Sequence, residues 1–238
     1  MDSRLTLDEP IKHRIALVDV LRGCALIAMA VYHFVWDLAF FELADFGPTE
    51  NPFWIWFARA TAGSFLMLVG VGLTLAHGGG VKWRPFLRRL LVIAVAALAI
   101  SIASWLSDPD RVILFGILHC IAVSSVIGLF LLRVPVPLVV TLAAACLAAP
   151  SFFASPAFNG IGWVWLGLAS EPLPSNDYNP LLPWFGMVLI GIAAARMIPR
   201  NAWPAWQPYD VVARVLALIG RHSLLFYLVH QPILMALL

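Results

Sequence analysis

Charge is scarce in this sequence. Asp, Glu, Lys and Arg make up 12% of its 238 residues, where a soluble domain carries about a quarter. The net charge of +2 is too small, and the basic residues too dispersed, for a nucleic-acid surface. Cysteine is nearly as rare. Cys24, Cys120 and Cys146 sit in apolar runs without CxxC spacing, so neither a disulfide scaffold nor a metal site is expected. No repeat with a period of about 20–50 residues is visible, which counts against a two-fold transporter. Apolar residues fill the space instead, at 62% with a mean hydropathy of +0.91. A chain of this size cannot hide that much apolar surface from water, which excludes a cytoplasmic enzyme and a disordered protein and leaves lipid as the solvent.

Seven apolar runs have lengths near those of membrane-crossing helices: residues 15–41, 53–76, 86–106, 112–132, 134–153, 181–198 and 222–238. Barrel strands would need alternating polarity, and the run 93–100 has none. The expected fold is all-α, a single polytopic membrane domain over 1–238 with about seven transmembrane helices. The polar segment 1–14 precedes a helix too long for a signal peptide, so it is expected to stay attached on the cytoplasmic side.

Loop charges set the orientation. Arg4, Lys12 and Arg14 precede the first run; Lys82, Arg84, Arg88 and Arg89 follow the second; Arg133 follows the fourth; Arg196, Arg200, Arg214 and Arg221 follow the sixth. The alternate loops carry Glu42, Asp45, Glu50, Asp108, Asp110, Glu171 and Asp177, with Arg111 alone at their edge. The positive-inside rule then puts the N-terminus inside and the C-terminus outside. Residues 211–219 are amphipathic and Arg-flanked, as expected of a helix lying on the inner surface before Gly220 turns the chain. The long outer connection 151–180, rich in proline and aromatics, is placed to cap a site.

A charged group near the bilayer centre costs about 2.5–3.5 kcal/mol, so intramembrane charges mark function. The first helix holds four polar residues, Asp19, Arg22, His33 and Asp37. At about 100° per residue, Arg22 and His33 differ by roughly 20° around the axis, and both aspartates fall about 60° from Arg22 in one direction. The four share a face that must look at protein or water. Arg22 and His33 are separated by roughly 16 Å along the axis, a distance for a slender molecule threaded along the helix.

His33 and Asp37 stand at i, i+4, where a carboxylate can orient an imidazole for general-base work; a structural hydrogen bond is the alternative. Asp19 and Arg22 read equally as an interfacial ion pair. His119, Arg59 and His230 enter other helices at depths from which they could converge on His33, although Arg59 could instead snorkel and the histidines could cross-link helices. Lys82, Arg84, Arg88 and Arg89 form the densest basic cluster, serving either topology or a phosphate site. His77, beside Gly78-Gly79-Gly80, reads as an inner loop residue, and no Walker motif follows.

The run Arg14-Ile15-Ala16-Leu17-Val18-Asp19-Val20-Leu21-Arg22-Gly23-Cys24-Ala25-Leu26 resembles the opening of the heparan-α-glucosaminide N-acetyltransferase catalytic-domain family. His33-Phe34-Val35-Trp36-Asp37-Leu38 looks like its small bacterial branch, and Phe115-Gly116-Ile117-Leu118-His119-Cys120-Ile121 is similar to a later stretch of the family. Arg22 and His33 also match the R-x10-H pattern of membrane acyltransferases of the acyltransferase-3 type, and residues 220–230 resemble the last helix of that superfamily.

The resemblance implies a multi-pass acyltransferase of the bacterial inner membrane, with acetyl-CoA or another acyl-CoA as donor and no metal. The acceptor would be an amine or hydroxyl of an envelope glycan, a lipid headgroup or a small molecule. It further implies His33 as general base oriented by Asp37, with Asp19, Arg22, Arg84, Arg88 and Arg89 toward the donor and Arg59, His119 and His230 toward the acceptor. The pantetheine arm would run along the polar stripe to His33, and an acyl-imidazole intermediate stays open beside direct transfer. The chain departs from the lysosomal enzymes in having no histidine in the loop 42–52, so their sugar substrate does not carry over. A proton-coupled transporter using the same groups and a non-catalytic scaffold are the rival readings; a homo-oligomer is open.

Overall fold

The computed structural model describes residues 15–44, 46–199, 202–204 and 206–238. The segment 1–14, with Arg4, Lys12 and Arg14, lies outside the described residues, as do Asp45 and Arg200. The chain is all-helical, 74% helix, with no strand among the described residues beyond one isolated bridge, Ser155 to Ala169. The helices are α1 (Ala16–Phe40), α2 (Pro52–His77), α3 (Trp83–Ser107), α4 (Ile117–Leu131), α5 (Val136–Phe153), α6 (Leu181–Met197), α7 (Val211–Arg221) and α8 (Ser223–Leu237).

Local chemistry explains their ends. Asn51 accepts from the Phe53 amide at 2.9 Å with Pro52 in the first turn, and Asp210 accepts from the Ala213 amide at 2.7 Å. Both are side-chain caps that satisfy otherwise orphaned helix donors. Gly80, at φ 142°, supplies the left-handed residue that turns α2 into α3. His77 is not a loose loop residue: it ends α2, is buried, packs on Phe86, and its Nδ1 accepts from the Lys82 amide at 3.3 Å, fixing that turn.

Each of the seven apolar runs contains a helix. One boundary moves substantially: α4 starts at Ile117 rather than 112, because residues 112–116 run up to an N-terminus capped by a distant carboxylate described below. Four helices, α1, α2, α3 and α5, are long and apolar enough to cross a membrane alone, and α7 with α8, bent by 95°, count as a fifth only when the bent pair is taken as one span. The apolar helices α4 and α6 are shorter, at 15 and 17 residues. At about 1.5 Å per residue neither reaches the roughly 30 Å of a hydrocarbon core.

The packing has a centre and an annex. The centre is α6, wrapped by α2, α4 and α5, with Leu66, Val139, Val188, Leu189 and Ile192 fully buried. Close approach rests on small residues: a Cβ on Gly70 would meet the Val188 carbonyl oxygen at 2.0 Å, and one on Gly191 the Met67 carbonyl oxygen at 2.0 Å. The annex is α1 with α7 and α8. Here a Cβ on Gly220 would meet the Asp19 carbonyl oxygen at 1.8 Å and one on Gly23 the Leu216 carbonyl oxygen at 2.1 Å. Gly220 therefore serves contact with α1, and the chain bends two residues later, at His222. Large apolar side chains such as Leu91, Leu98 and Trp105 on α3 and Leu138 and Phe152 on α5 point outward. Such faces are tolerable only against lipid or a partner; the protein is a multi-pass membrane protein.

Candidate active site

A cavity of about 590 Å³ opens between α1, α2, α3, α4 and α8. Its rim gathers Arg22 from α1 with Arg84, Arg88 and Arg89 from α3, residues 62 to 67 positions apart in sequence. The helical period explains the α3 contribution: 84, 88 and 92, with 85, 89 and 93, form one face. From Arg84 to Ile93 that face climbs roughly 14 Å. Arg22 is held in place by Asp19 at 3.2 Å and reaches the Gly220 carbonyl at 3.5 Å, while Gly72 of α2 lies beside its guanidinium. Asp19, buried at 3% exposure, also meets Arg221 at 3.5 Å. Above the rim the walls are apolar, formed by Phe65, Val69, Ile93, Leu118 and Ile121, and the cavity reaches Tyr227 of α8.

Tyr227 is a junction. Its hydroxyl lies 3.4 Å from Asp177 Oδ2, and its carbonyl oxygen lies 2.6 Å from His230 Nδ1. Asp177 comes from the outer connection and enters the bundle. It accepts the first helical amide of α4, Ile117 N, at 3.1 Å, and the Asn179 side-chain amide. A carboxylate at a helix N-terminus is favoured by the orphan amides and the helix dipole. Burial raises the Asp177 carboxyl above the ordinary carboxylate range, and the donors from Ile117, Asn179 and Tyr227 hold it back. A Cβ on Gly116 would sit 2.4 Å from Oδ2, so the glycine makes room for this cap. Sequence reasoning placed Asp177 among loop charges and missed Tyr227; no local motif marks a contact across 50 residues.

The C-terminal half of α1 faces α8 rather than the cavity. The His33 and His230 rings are 5.0 Å apart by centroid, and His230 is 5.7 Å from the Tyr227 ring. Asp37 is fully buried, and its Oδ1 accepts from Gln231 Nε2 at 2.6 Å. The expected hydrogen bond from His33 to Asp37 is absent: the i, i+4 spacing is met, but α8 inserts Gln231 as the carboxylate's partner. Among the described residues, three buried polar atoms here have no hydrogen-bond partner: Asp37 Oδ2, Gln231 Oε1 and His230 Nε2. A carbonyl can only accept, so His230 Nδ1 donates to Tyr227, and in the neutral ring Nε2 is then a lone pair.

The other expected members do not join this group. His119 uses both nitrogens, accepting the Gly116 amide at 3.2 Å on Nδ1 and meeting Ser101 Oγ at 3.3 Å through Nε2. It ties α3 to the start of α4. Arg59 is exposed on α2 with its guanidinium 5.4 Å over the Trp56 ring. The pantetheine route along the α1 stripe also changes, because the cavity follows α3 and touches α1 at Arg22, leaving His33 off its wall. A second, smaller pocket of about 270 Å³ lies beyond the outer end of the stripe, lined by Trp36, Phe40, Thr49, Glu50 and Arg111 among others.

These features define a class: a polytopic membrane protein with a cationic, apolar-walled cavity on one side of a buried polar contact. The chain belongs to the heparan-alpha-glucosaminide N-acetyltransferase catalytic family, whose sequence profile matches residues 14–232. It is therefore a membrane protein of an acyltransferase family. No curated protein and no solved structure matches the chain.

Proposed function

We propose that the protein transfers an acyl group, acetyl in the simplest case, from acyl-CoA to an amine or hydroxyl presented from the opposite side of a bacterial inner membrane. One observation carries this reading: four arginines from two distant segments meet at the rim of a single cavity that turns apolar above them. Guanidinium groups suit phosphates, and the apolar walls suit a slender pantetheine arm. The positive-inside rule favours this rim, and the N-terminus, on the cytosolic side, where acyl-CoA is available. The acceptor, whether an envelope glycan, a lipid headgroup or a small molecule, enters by the outer pocket beside Trp36, Glu50 and Arg111.

His33 is the general base, with His230 between it and the cavity end. The three acceptors without donors support this reading. An incoming N–H or O–H supplies the donors they lack, and burial of unmatched acceptors costs about 1–3 kcal/mol each until it does. Asp37 and Gln231 hold the nucleophile's proton-bearing group. The nucleophile loses its proton to the imidazole as it adds to the thioester carbonyl, the C–S bond breaks, and CoA leaves as the thiol.

Purified protein supplied with radiolabelled acetyl-CoA tests the reading. Wild type consumes thioester and His33→Ala does not, while Arg22→Ala loses the heat-stability shift that CoA gives wild type. Equal turnover in wild type and His33→Ala removes His33 as base. The same unmatched acceptors favour one alternative, a proton-coupled transporter. Proton flux through proteoliposomes without acyl-CoA would select it.

A further inference from the structure

The structure points to Tyr227 as the catalytic group that meets the acyl carbonyl at the end of the cavity, with Asp177 as the residue that positions it. This rests on the donor-site reading above.

Besides the arginines, two hydroxyl-bearing residues line the cavity, Ser223 and Tyr227. Ser223 opens α8 at the 95° bend, and Tyr227 lies one turn further in. A thioester whose phosphates sit at Arg84, Arg88 and Arg89 brings its carbonyl toward that end. The Tyr227 hydroxyl is held only by a long contact to Asp177 and can turn to serve it. Its distance of 3.4 Å to Asp177 Oδ2 is long against about 2.5–2.7 Å for a strong hydroxyl–carboxylate bond. Asp177 keeps the Ile117 amide and the Asn179 side chain when the hydroxyl turns away, so the switch orphans no buried charge. Asp177 is itself fixed by its place at the α4 N-terminus, and so it limits where the tyrosine ring can swing.

The step balances without a further reagent. The nucleophile adds to the carbonyl carbon, and the C=O π pair moves onto oxygen, where the Tyr227 O–H donates a hydrogen bond. The nucleophile's proton passes to imidazole. The C=O bond then reforms, the C–S bond breaks with its pair on sulfur, and the thiolate takes the proton from imidazolium. Tyr227 keeps its own proton throughout. In an apolar, water-poor wall such a donor is worth far more than in water, and removing one oxyanion donor typically lowers kcat by about 10²–10³.

Tyr227→Phe is the test, because it keeps the ring and the backbone carbonyl that holds His230. The expected result is a fall in kcat of about 10²–10³ with unchanged KM for acetyl-CoA and an unchanged CoA stability shift. Asp177→Asn retains an acceptor for Ile117 and is expected to lower kcat by about tenfold, again without a KM change, and to add no loss in the Tyr227→Phe background. Wild-type kcat in Tyr227→Phe overturns the assignment of Tyr227 alone. Additive losses in the double variant overturn the positioning role of Asp177. A wild type that neither binds CoA nor consumes thioester overturns the donor reading and this assignment together.

Discussion

The N-terminal and C-terminal halves of α1 both meet the α7–α8 pair, but with opposite chemistry. Around Arg22 the surplus is of cations. Asp19 pairs with Arg22 and Arg221, and the arginines of α3 stand across an open cavity. Around Asp37 the surplus is of hydrogen-bond acceptors, packed out of water against His230 and Gln231. The first arrangement attracts an anion from solution. The second costs energy until something donates a proton or an N–H to it. Tyr227 stands between them, lining the cavity and holding His230 through its carbonyl. On the proposed reading a single helical face serves two tasks, with α8 as the partition.

The contrast yields a graded set of expected outcomes. The largest is in the acceptor-rich half: His33→Ala lowers acyl transfer by about 10²–10⁴ with donor binding intact, as loss of a general base does. Next is the cation-rich half, where the double variant Arg88→Ala with Arg89→Ala weakens CoA binding by about tenfold or more, read by calorimetry, from loss of charge-assisted contacts. The contact that holds the N-terminal half of α1 to α7 comes third. Gly220→Val drives a side chain into the Asp19 carbonyl and should cost about 1–3 kcal/mol or more, seen as a lower Tm in detergent. Asp37→Asn then separates stability from function. The new amide replaces one unmatched acceptor with a donor that can serve one of the other two, so Tm holds or rises while transfer falls. The smallest effect is that of Arg59→Ala, which lies away from both halves and should leave transfer and CoA binding unchanged.

Much of the fold is legible in the sequence because lipid imposes long apolar runs, and α1, α2, α3 and α5 begin and end within a few residues of theirs. The start of α4 is not legible, since its cap is Asp177, 60 residues away. The amphipathic α7 is visible from its Arg-flanked apolar spacing, and its sharp bend from α8 agrees with a turn near Gly220. In the site, the polar face of α1 follows from the helical period, and the basic cluster of α3 from its density. Their meeting at one rim depends on tertiary packing that no spacing encodes. The same limit explains Asp37: local geometry offers His33, but the side chain that arrives is Gln231 from 194 residues on. His119 carries a functional residue type in a suggestive stretch, yet its two nitrogens are spent on the Gly116 amide and Ser101.

The most direct measurement uses sealed proteoliposomes sorted by orientation, with radiolabelled acetyl-CoA added outside. Thioester consumption is expected only from vesicles whose outer surface carries Arg84, Arg88 and Arg89, and it should vanish in the Arg88→Ala, Arg89→Ala variant. Equal consumption from vesicles of the opposite orientation, or consumption indifferent to those arginines, would contradict a donor site in this cavity.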